Sequence, residues 1–321
     1  MSDIKEIAKR IIREEAACIG ALENFIDDDF VRVVELILGI EGKVVFCGVG
    51  KSALIARKIV ATLNSTGIPA VFMHAADAVH GDLGIIGSGD VVVCVSKSGN
   101  TPEIKSLVPL IKNLGNDRIV AMVSNTDSYL AKAAAYVLNV HVDKEADPNN
   151  LAPTNSTTAQ LVMGDALAVA LIECRRFSSR DFARFHPGGS LGKRLYVKVR
   201  DVSDGDNRPR VGRKDRIRDV IIAMSAGRLG AVAVVDGQDC LEGIITDGDL
   251  RRMLEKFRNI DELTAGDVMT VNPKTISPEE LAYSAFGLME KNSITQLVVV
   301  DGNGRYCGMV HLHDILKEGV V

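Results

Sequence analysis

The chain has 321 residues, of which 46% are hydrophobic and 25% are charged, enough for two or three globular domains with soluble surfaces. Its formal net charge of −4 argues against a nucleic-acid partner, because such proteins usually present a basic face. The six cysteines stand singly, without a CxxC pair, which argues against a zinc knuckle or a disulfide framework. We expect no signal peptide and no stretch as long as a membrane span, and therefore a cytoplasmic protein.

The first two thirds of the chain alternate between predicted strands and helices. Residues 1–40 have the apolar spacing of helices, and short β-branched runs then alternate with helical stretches. The predicted strands are 43–48, 69–73, 90–96, 118–124 and 136–142, and the predicted helices between and after them are 52–65, 102–114, 128–135 and 157–175. This order indicates an α/β fold, Rossmann-like or flavodoxin-like, in which helices cover both faces of a parallel sheet.

The last third contains an internal repeat. The polar stretch DVSDGDNRPRVGRKDR, which begins at Asp201, is predicted to be a linker. Beyond it, VVDGQDCLEGIITDGDL begins at Val234 and VVDGNGRYCGMVHLHDI begins at Val299, an offset of 65 residues (299 − 234). Each copy predicts a small α+β unit that would be marginal alone, so we expect the two to pack together. The predicted domains are 1–200, 201–264 and 265–321.

The stretch GVGKS (48–52) follows the first predicted strand and suggests a phosphate site. A Walker A loop would require a glycine at position 45, where this chain has Val45. The looser dinucleotide-binding pattern fits residues 48–53, but no acidic residue ends the second predicted strand to bind a ribose. Neither nucleotide interpretation is favoured.

A second loop, SKSGNTPE (96–103), follows the third predicted strand and opens a helix. Hydroxyls and N–H groups at a helix N-terminus suit a phosphate monoester, and open α/β sheets bind ligands at the carboxyl ends of their strands. The two loops together favour a sugar phosphate over a nucleotide. The predicted phosphate-binding residues are Ser52, Ser96, Ser98 and Thr101, although their hydroxyls would also serve as helix caps.

Several of these motifs resemble known families. The motif SKSGNT resembles the phosphate loop of sugar isomerase (SIS) domains, and the repeat containing GIITDGDLRR resembles a pair of CBS domains. STGIPAVFMHAADAVHGDLG, LAPTNSTTAQLVMGDALAVAL and DFARFHPGGSLG are similar to stretches of the D-arabinose 5-phosphate isomerase family. The resemblance covers nearly the whole chain. It implies interconversion of D-ribulose 5-phosphate and D-arabinose 5-phosphate through an enediol, as the first step of Kdo synthesis for lipopolysaccharide.

The resemblance also assigns candidate catalytic residues. These are Lys51, Glu103, Glu145 and His186, with His80 as a further substrate-site candidate. We expect Lys51 to hold phosphate or to stabilise enediolate charge, and His186 to shuttle the proton, because imidazole titrates near neutral pH. Glu145 or Glu103 would assist ring opening or the second transfer. From spacing alone, Glu103 would equally be an acidic residue favoured at a helix N-terminus, and Glu145 a loop charge.

The family chemistry requires no cofactor and no metal. Zinc at His80 and His186 is expected only as an inhibitor, since no close ligand spacing accompanies these histidines. The chain departs from the family where Ala53-Leu54 replaces a frequent Gly-His and where Lys97 replaces a frequent Asn or Tyr. His311 stands in the second repeat where Thr246 stands in the first, which weakens the prediction of a nucleotide site in that copy.

Partners and alternative functions follow from the same resemblance. It implies a homotetramer whose CBS pair binds a nucleotide or a nucleotide sugar such as CMP-Kdo. One alternative is a sugar-phosphate-binding regulator, but residues 1–40 are too short and too acidic for a convincing DNA-binding domain. The other is a different SIS enzyme, such as a heptose phosphate or hexulose-phosphate isomerase. Such enzymes generally lack the CBS pair and the three long motifs.

Overall fold

The computed structural model describes residues 3–203 and 206–321. The chain divides into two compact units, of which the first ends at Phe185 and the second begins at His186. The domain boundaries proposed from the sequence, after residues 200 and 264, stay predictions beside this division.

The first unit is built on a five-stranded parallel sheet in the order β2-β1-β3-β4-β5. Its elements are α1 (Ile4–Ala21), α2 (Asp28–Leu38), β1 (Val44–Gly48), α3 (Gly50–Ser65), β2 (Ala70–His74), β3 (Val91–Ser96), α4 (Pro102–Asn113), β4 (Ile119–Val123), α5 (Tyr129–Ala133), β5 (Tyr136–Asn139), α6 (Asn155–Cys174) and α7 (Ser179–Phe185). Every residue of β1, β3 and β4 is buried, as expected for parallel strands covered on both faces.

Alternate residues of the strands enter two separate cores. Phe46 and Val93 pack with residues of α2, α3 and α6 on one face. Cys47 and Val92 pack with residues of α4 and α5 on the other face. The period of two along each strand therefore places helices on both sides, which confirms the predicted fold class.

Some element ends differ from the prediction. Helix α3 begins at Gly50 rather than at residue 52. Gly50 has a φ of +57°, which favours glycine, at the turn out of β1. Helix α6 begins at Asn155 rather than at residue 157, and β5 ends at Asn139 rather than at 142. These changes move two helix N-termini by two residues each.

The expectation that no stretch reaches the length of a membrane span is wrong for α6. This helix has 20 residues and a mean hydropathy of 1.3, so by length and composition alone it is long and apolar enough to cross a membrane. Its buried residues, among them Met163, Leu167 and Leu171, instead belong to the core of the first unit. The core helix of a globular domain can have the same length and composition.

The second unit contains the two repeat copies. Its elements are α8 (Ser190–Tyr196), α9 (Val199–Val202), β6 (Arg210–Gly212), α10 (Ile217–Gly227), β7 (Ala231–Val235), β8 (Leu241–Thr246), α11 (Asp247–Lys256), α12 (Ala265–Val268), β9 (Thr270–Val271), β10 (Thr275–Ile276), α13 (Ala282–Asn292), β11 (Gln296–Val300), β12 (Tyr306–His311) and α14 (Leu312–Glu318). They form a sheet in the order β6-β7-β8-β9 and a sheet in the order β10-β11-β12. The starts of α10 and α13, of β7 and β11, and of β8 and β12 each keep the 65-residue offset.

The two copies exchange short helices. Val199 of α9 lies in the core of the second copy with Ile276 and Val310, and Ala265 of α12 lies in the core of the first copy with Val232. The stretch predicted to be a linker is also partly a strand, because Arg210–Gly212 forms β6. Residues 204 and 205 of that stretch lie outside the described residues.

Candidate active site

A pocket of about 300 Å³ lies at the carboxyl edge of the first unit's sheet. It forms where the chain leaves β1 and β3, neighbouring strands at which the strand order changes direction. Ligands bind at such switch points in open α/β sheets. Five of the residues predicted from the sequence line it together, namely Lys51, Ser52, Ser96, Ser98 and Thr101.

Three helices begin at this pocket. Lys51 and Ser52 belong to the first turn of α3, Thr101 is the N-cap of α4, and Ser156 and Thr157 belong to the first turn of α6. The unpaired N–H groups and the dipoles of α3 and α4 favour a bound anion, whereas the N-terminus of α6 already donates to the carboxylate of Glu145 through Ser156 N. The helices have 16, 12 and 20 residues. The pocket is therefore suited to a phosphate group.

The hydroxyls of the second loop are arranged around its turn. Ser96 Oγ accepts a hydrogen bond from Gly99 N at 3.1 Å, and Ser98 Oγ accepts one from Asn100 N at 3.2 Å. Thr101 differs, because its Oγ1 is buried and has no hydrogen-bond partner in the described part of the chain. A buried polar atom without a partner is uncommon and costly. Thr101 Oγ1 is therefore free to bind an oxygen of a ligand.

Glu145 lies beside the pocket at the N-terminus of α6. Its carboxylate accepts hydrogen bonds from Thr154 N at 2.9 Å, from Ser156 N at 3.1 Å and from Ser156 Oγ. Lys97 Nζ lies 2.6 Å from the same oxygen that Ser156 Oγ contacts. Burial by itself would raise the pKa of Glu145, but the hydrogen bonds from Lys97, Ser156 and the backbone lower it to about 2. Glu145 is therefore ionised at neutral pH.

The remaining predicted residues are placed separately. Glu103 is a half-buried residue in the first turn of α4, two positions after the N-cap Thr101. His80 is exposed and ends a short 3₁₀ helix, Ala78–His80, after β2. His186 is half-buried and is the first residue of the second unit, with which it is described. The catalytic roles of these residues stay predictions.

Sequence reasoning missed three polar residues of the pocket lining, namely Lys97, Ser156 and Thr157. In the sequence, Lys97 stands out only as a departure from the family pattern. The run PTNSTT (153–158) was a usable signal for the other two, since hydroxyl residues before an apolar helix are typical of an N-terminus.

Within residues 3–203 and 206–321, no three His, Cys, Asp or Glu side chains are grouped so that they could hold a metal ion. The expectation that no metal is required stays a prediction.

A larger cavity in the first unit, of about 380 Å³, is lined by Cys18, Phe25 and His141 among others. The described residues of its lining include no serine or threonine, so we place the candidate site at the smaller, hydroxyl-lined pocket.

The SIS domain family matches residues 37–170, and the CBS domain family matches residues 199–256 and 265–320. The chain is thus a SIS-domain protein with a tandem CBS pair. A relative from Pseudomonas aeruginosa, arabinose 5-phosphate isomerase KdsD, is 47% identical over 99% of this chain and 98% of its own length. Arabinose 5-phosphate isomerase KdsD of Escherichia coli K12 is 41% identical over 99% of this chain and 97% of its own length. The chain belongs to the arabinose 5-phosphate isomerase family.

A solved structure supports the same assignment. It is the c3406 protein of E. coli CFT073 in complex with arabinose 5-phosphate. That protein is 39% identical to this chain, and the two match with a TM-score of 0.56 over 58% of this chain and 98% of that one. The predicted family resemblance and the predicted SIS-type sheet are therefore confirmed.

Proposed function

We propose that this chain is an aldose–ketose isomerase that interconverts D-ribulose 5-phosphate and D-arabinose 5-phosphate. The observation on which the proposal depends is the pocket where α3, α4 and α6 begin, lined by Lys51 and by the hydroxyls of Ser52, Ser96, Ser98 and Thr101. The relatives are named for this activity, and the matching solved structure contains arabinose 5-phosphate.

The phosphate end of the substrate would bind at the two loops. Ser52, Ser96, Ser98 and Thr101 offer hydroxyls, and the first turns of α3 and α4 offer N–H groups. Lys51 is exposed and lies in the first turn of α3, so its ammonium adds positive charge at the same place. Holding one end of the substrate fixes its reacting carbons relative to the protein.

The reaction moves a carbonyl between two carbons and needs no oxidant. A base removes a proton from C1 of the ketose; the electrons of that bond form the C1–C2 double bond, and the π electrons of the C2 carbonyl move to O2, which gives an enediolate. The proton of the O1 hydroxyl is then transferred to O2, the O1 electrons form the aldehyde carbonyl at C1, and the protonated base returns its proton to C2. Donors near the developing oxyanion lower this barrier, and a carboxylate or an imidazole transfers the protons. On the family motif, His186 stays our proposed base, with Glu103 assisting the second proton transfer; Glu145, the other assistant that the motif offers, is ionised at neutral pH and would act without donating a proton.

The wider setting is part of the same proposal. The reaction would be the first step of Kdo synthesis for lipopolysaccharide. It would take place in the cytoplasm, and the enzyme would be a homotetramer.

The CBS pair would bind a nucleotide or CMP-Kdo, with Thr246 of the first copy as a candidate contact. Thr246 caps α11, and its hydroxyl donates to Asp249. His311 caps α14 at the matching place in the second copy.

One experiment tests the activity directly. The purified chain is incubated with D-ribulose 5-phosphate, and the products are followed by ¹³C NMR beside six- and seven-carbon ketose phosphates. We expect D-arabinose 5-phosphate from the pentose alone. Turnover of a longer sugar in preference to the pentose would favour a different SIS isomerase, and binding without turnover would favour a sugar-phosphate sensor. Calorimetry with CMP-Kdo and AMP tests the CBS proposal separately.

A further inference from the structure

The two residues of the ion pair between Lys97 and Glu145 differ greatly in solvent exposure. The side chain of Lys97 is 42% exposed, whereas that of Glu145 is 1% exposed. Lys97 lines the pocket together with Lys51 and the hydroxyl residues. Of the two members, Lys97 is therefore the one placed to contact a ligand in the pocket.

Glu145 fixes where the ammonium of Lys97 lies. Its Oε1 accepts from both Lys97 Nζ and Ser156 Oγ, and its Oε2 accepts from the backbone N–H groups of Thr154 and Ser156. A carboxylate held by this many donors cannot move far. The ammonium is thereby held at the α6 side of the pocket, although Lys97 itself stands between Ser96 and Ser98 in the second loop.

We propose that Lys97 contacts the carbonyl end of the substrate and stabilises the enediolate, and that Glu145 is a positioning residue that acts through Lys97. This inference rests on the proposed isomerase function and adds a residue to it. The phosphate already has the loop hydroxyls and two helix N-termini, while the ammonium of Lys97 is drawn to the third helix. A fixed ammonium at that place is a donor for an oxyanion that forms only during the reaction.

The low pKa of Glu145, about 2, is consistent with this division of roles. An ionised carboxylate with strong donors is a weak base and has no proton to donate near neutral pH. Glu145 is therefore better suited to hold Lys97 than to transfer protons itself.

A matched ion pair on the opposite edge of the sheet provides the control. Lys43 Nζ lies 2.7 Å from Asp90 Oδ2, and their side chains are 32% and 5% exposed. The two residues precede β1 and β3 directly, at the amino ends of the strands and away from the pocket. Loss of either ion pair should lower the melting temperature by a similar amount, so a difference in activity reports on the pocket.

The test compares Lys97→Met and Lys43→Met in the full chain by kcat, KM and the Kd of inorganic phosphate. We expect Lys97→Met to lower kcat about 100-fold, because that is the effect of losing one oxyanion donor, and to leave the phosphate Kd unchanged. Lys43→Met should retain wild-type kinetics. An unchanged kcat with a higher KM and phosphate Kd would make Lys97 a phosphate ligand and would overturn the assignment. If wild type itself does not isomerise ribulose 5-phosphate, the proposed function fails first.

A double-mutant cycle tests the role of Glu145. We expect Glu145→Gln to lower kcat, and the double variant with Lys97→Met to have a kcat within about threefold of Lys97→Met alone, because residues that act as one unit are not additive. Losses that multiply in the double variant would show that Glu145 acts independently and would overturn the positioning role. Unchanged phosphate binding in each variant confirms that the pocket is still folded.

Discussion

Gly99 lies against Ser128 so closely that the structure leaves no room for a β-carbon on Gly99. Its φ of +63° is in the left-handed region, which only glycine adopts without strain. Ser128 is the N-cap of α5, and its Oγ accepts from Ala131 N at 3.3 Å. The turn between Ser96 and Thr101 is thus fixed by packing against the start of α5.

Gly99→Ala should therefore damage the second loop. We expect a loss of stability of roughly 2–3 kcal/mol, from strain at positive φ and from the clash, and at least a tenfold weaker affinity for inorganic phosphate. Gly115→Ala is the matched control, since Gly115 has a φ of +77° and open space where an added Cβ would lie. Denaturant unfolding and calorimetry should show a smaller loss of stability there and normal phosphate binding. Equal effects of the two substitutions would contradict the packing argument.

Thr101→Val tests the unpartnered hydroxyl. Because Thr101 Oγ1 is buried without a partner among the described residues, removing it should leave the free energy of unfolding within about 0.5 kcal/mol of wild type or raise it slightly. The affinity for inorganic phosphate should fall about tenfold, since hydrogen bonds to charged groups are the stronger ones.

The contrasting control for Thr101 is Thr264→Val in the second unit. Thr264 Oγ1 donates to Asp267 Oδ2 at 2.7 Å, so its loss should cost stability through the cap and leave phosphate binding unchanged. Normal phosphate affinity in Thr101→Val would mean that this hydroxyl does not contact the ligand.

The sheet and the two loops were predictable because their signals are local. A run such as Val91–Val95 is apolar at every position, which is typical of a buried parallel strand. Two loops that follow neighbouring parallel strands must meet at one edge of the sheet, so Ser52 and Ser96 could be paired from the order of elements alone.

The rest of the pocket depends on contacts between residues far apart in the chain. Lys97 and Glu145 are separated by 48 positions, and no local pattern distinguishes that contact from two solvated charges. Ser156 reaches the pocket only because α6 packs against α3 and brings its own N-terminus to the same edge. The sequence also did not predict the exchange of α9 and α12 between the repeat copies. A four-residue helix has no clear periodic signal, and the packing of each helix on the other copy is again a contact between distant residues.

The carboxylate of Glu145 should also control stability in acid. Its pKa is about 2 in the folded chain and 4.5 when unperturbed, so the unfolded state binds a proton first as the pH falls. The stabilisation is therefore complete above about pH 4.5 and is lost progressively towards pH 2, by about 3 kcal/mol in total. Urea unfolding between pH 6 and pH 3 should show a shallower decline for Glu145→Gln than for wild type. Parallel declines would place the acid-sensitive group elsewhere.

Thiol reactivity should follow the burial of the cysteines. The Sγ atoms of Cys47 and Cys94 lie 3.2 Å apart on the paired strands β1 and β3, and both side chains are fully buried. The hydrogen bond to Cys94, together with burial, raises the pKa of Cys47, which keeps it as the unreactive thiol.

Cys174 is exposed at the end of α6, so iodoacetamide at pH 8 should modify Cys174 first. Mass spectrometry of tryptic peptides should find Cys47 and Cys94 protected until the chain is unfolded in urea. Early modification of either one in the native protein would mean that the sheet opens beneath the phosphate loops far more often than its packing allows.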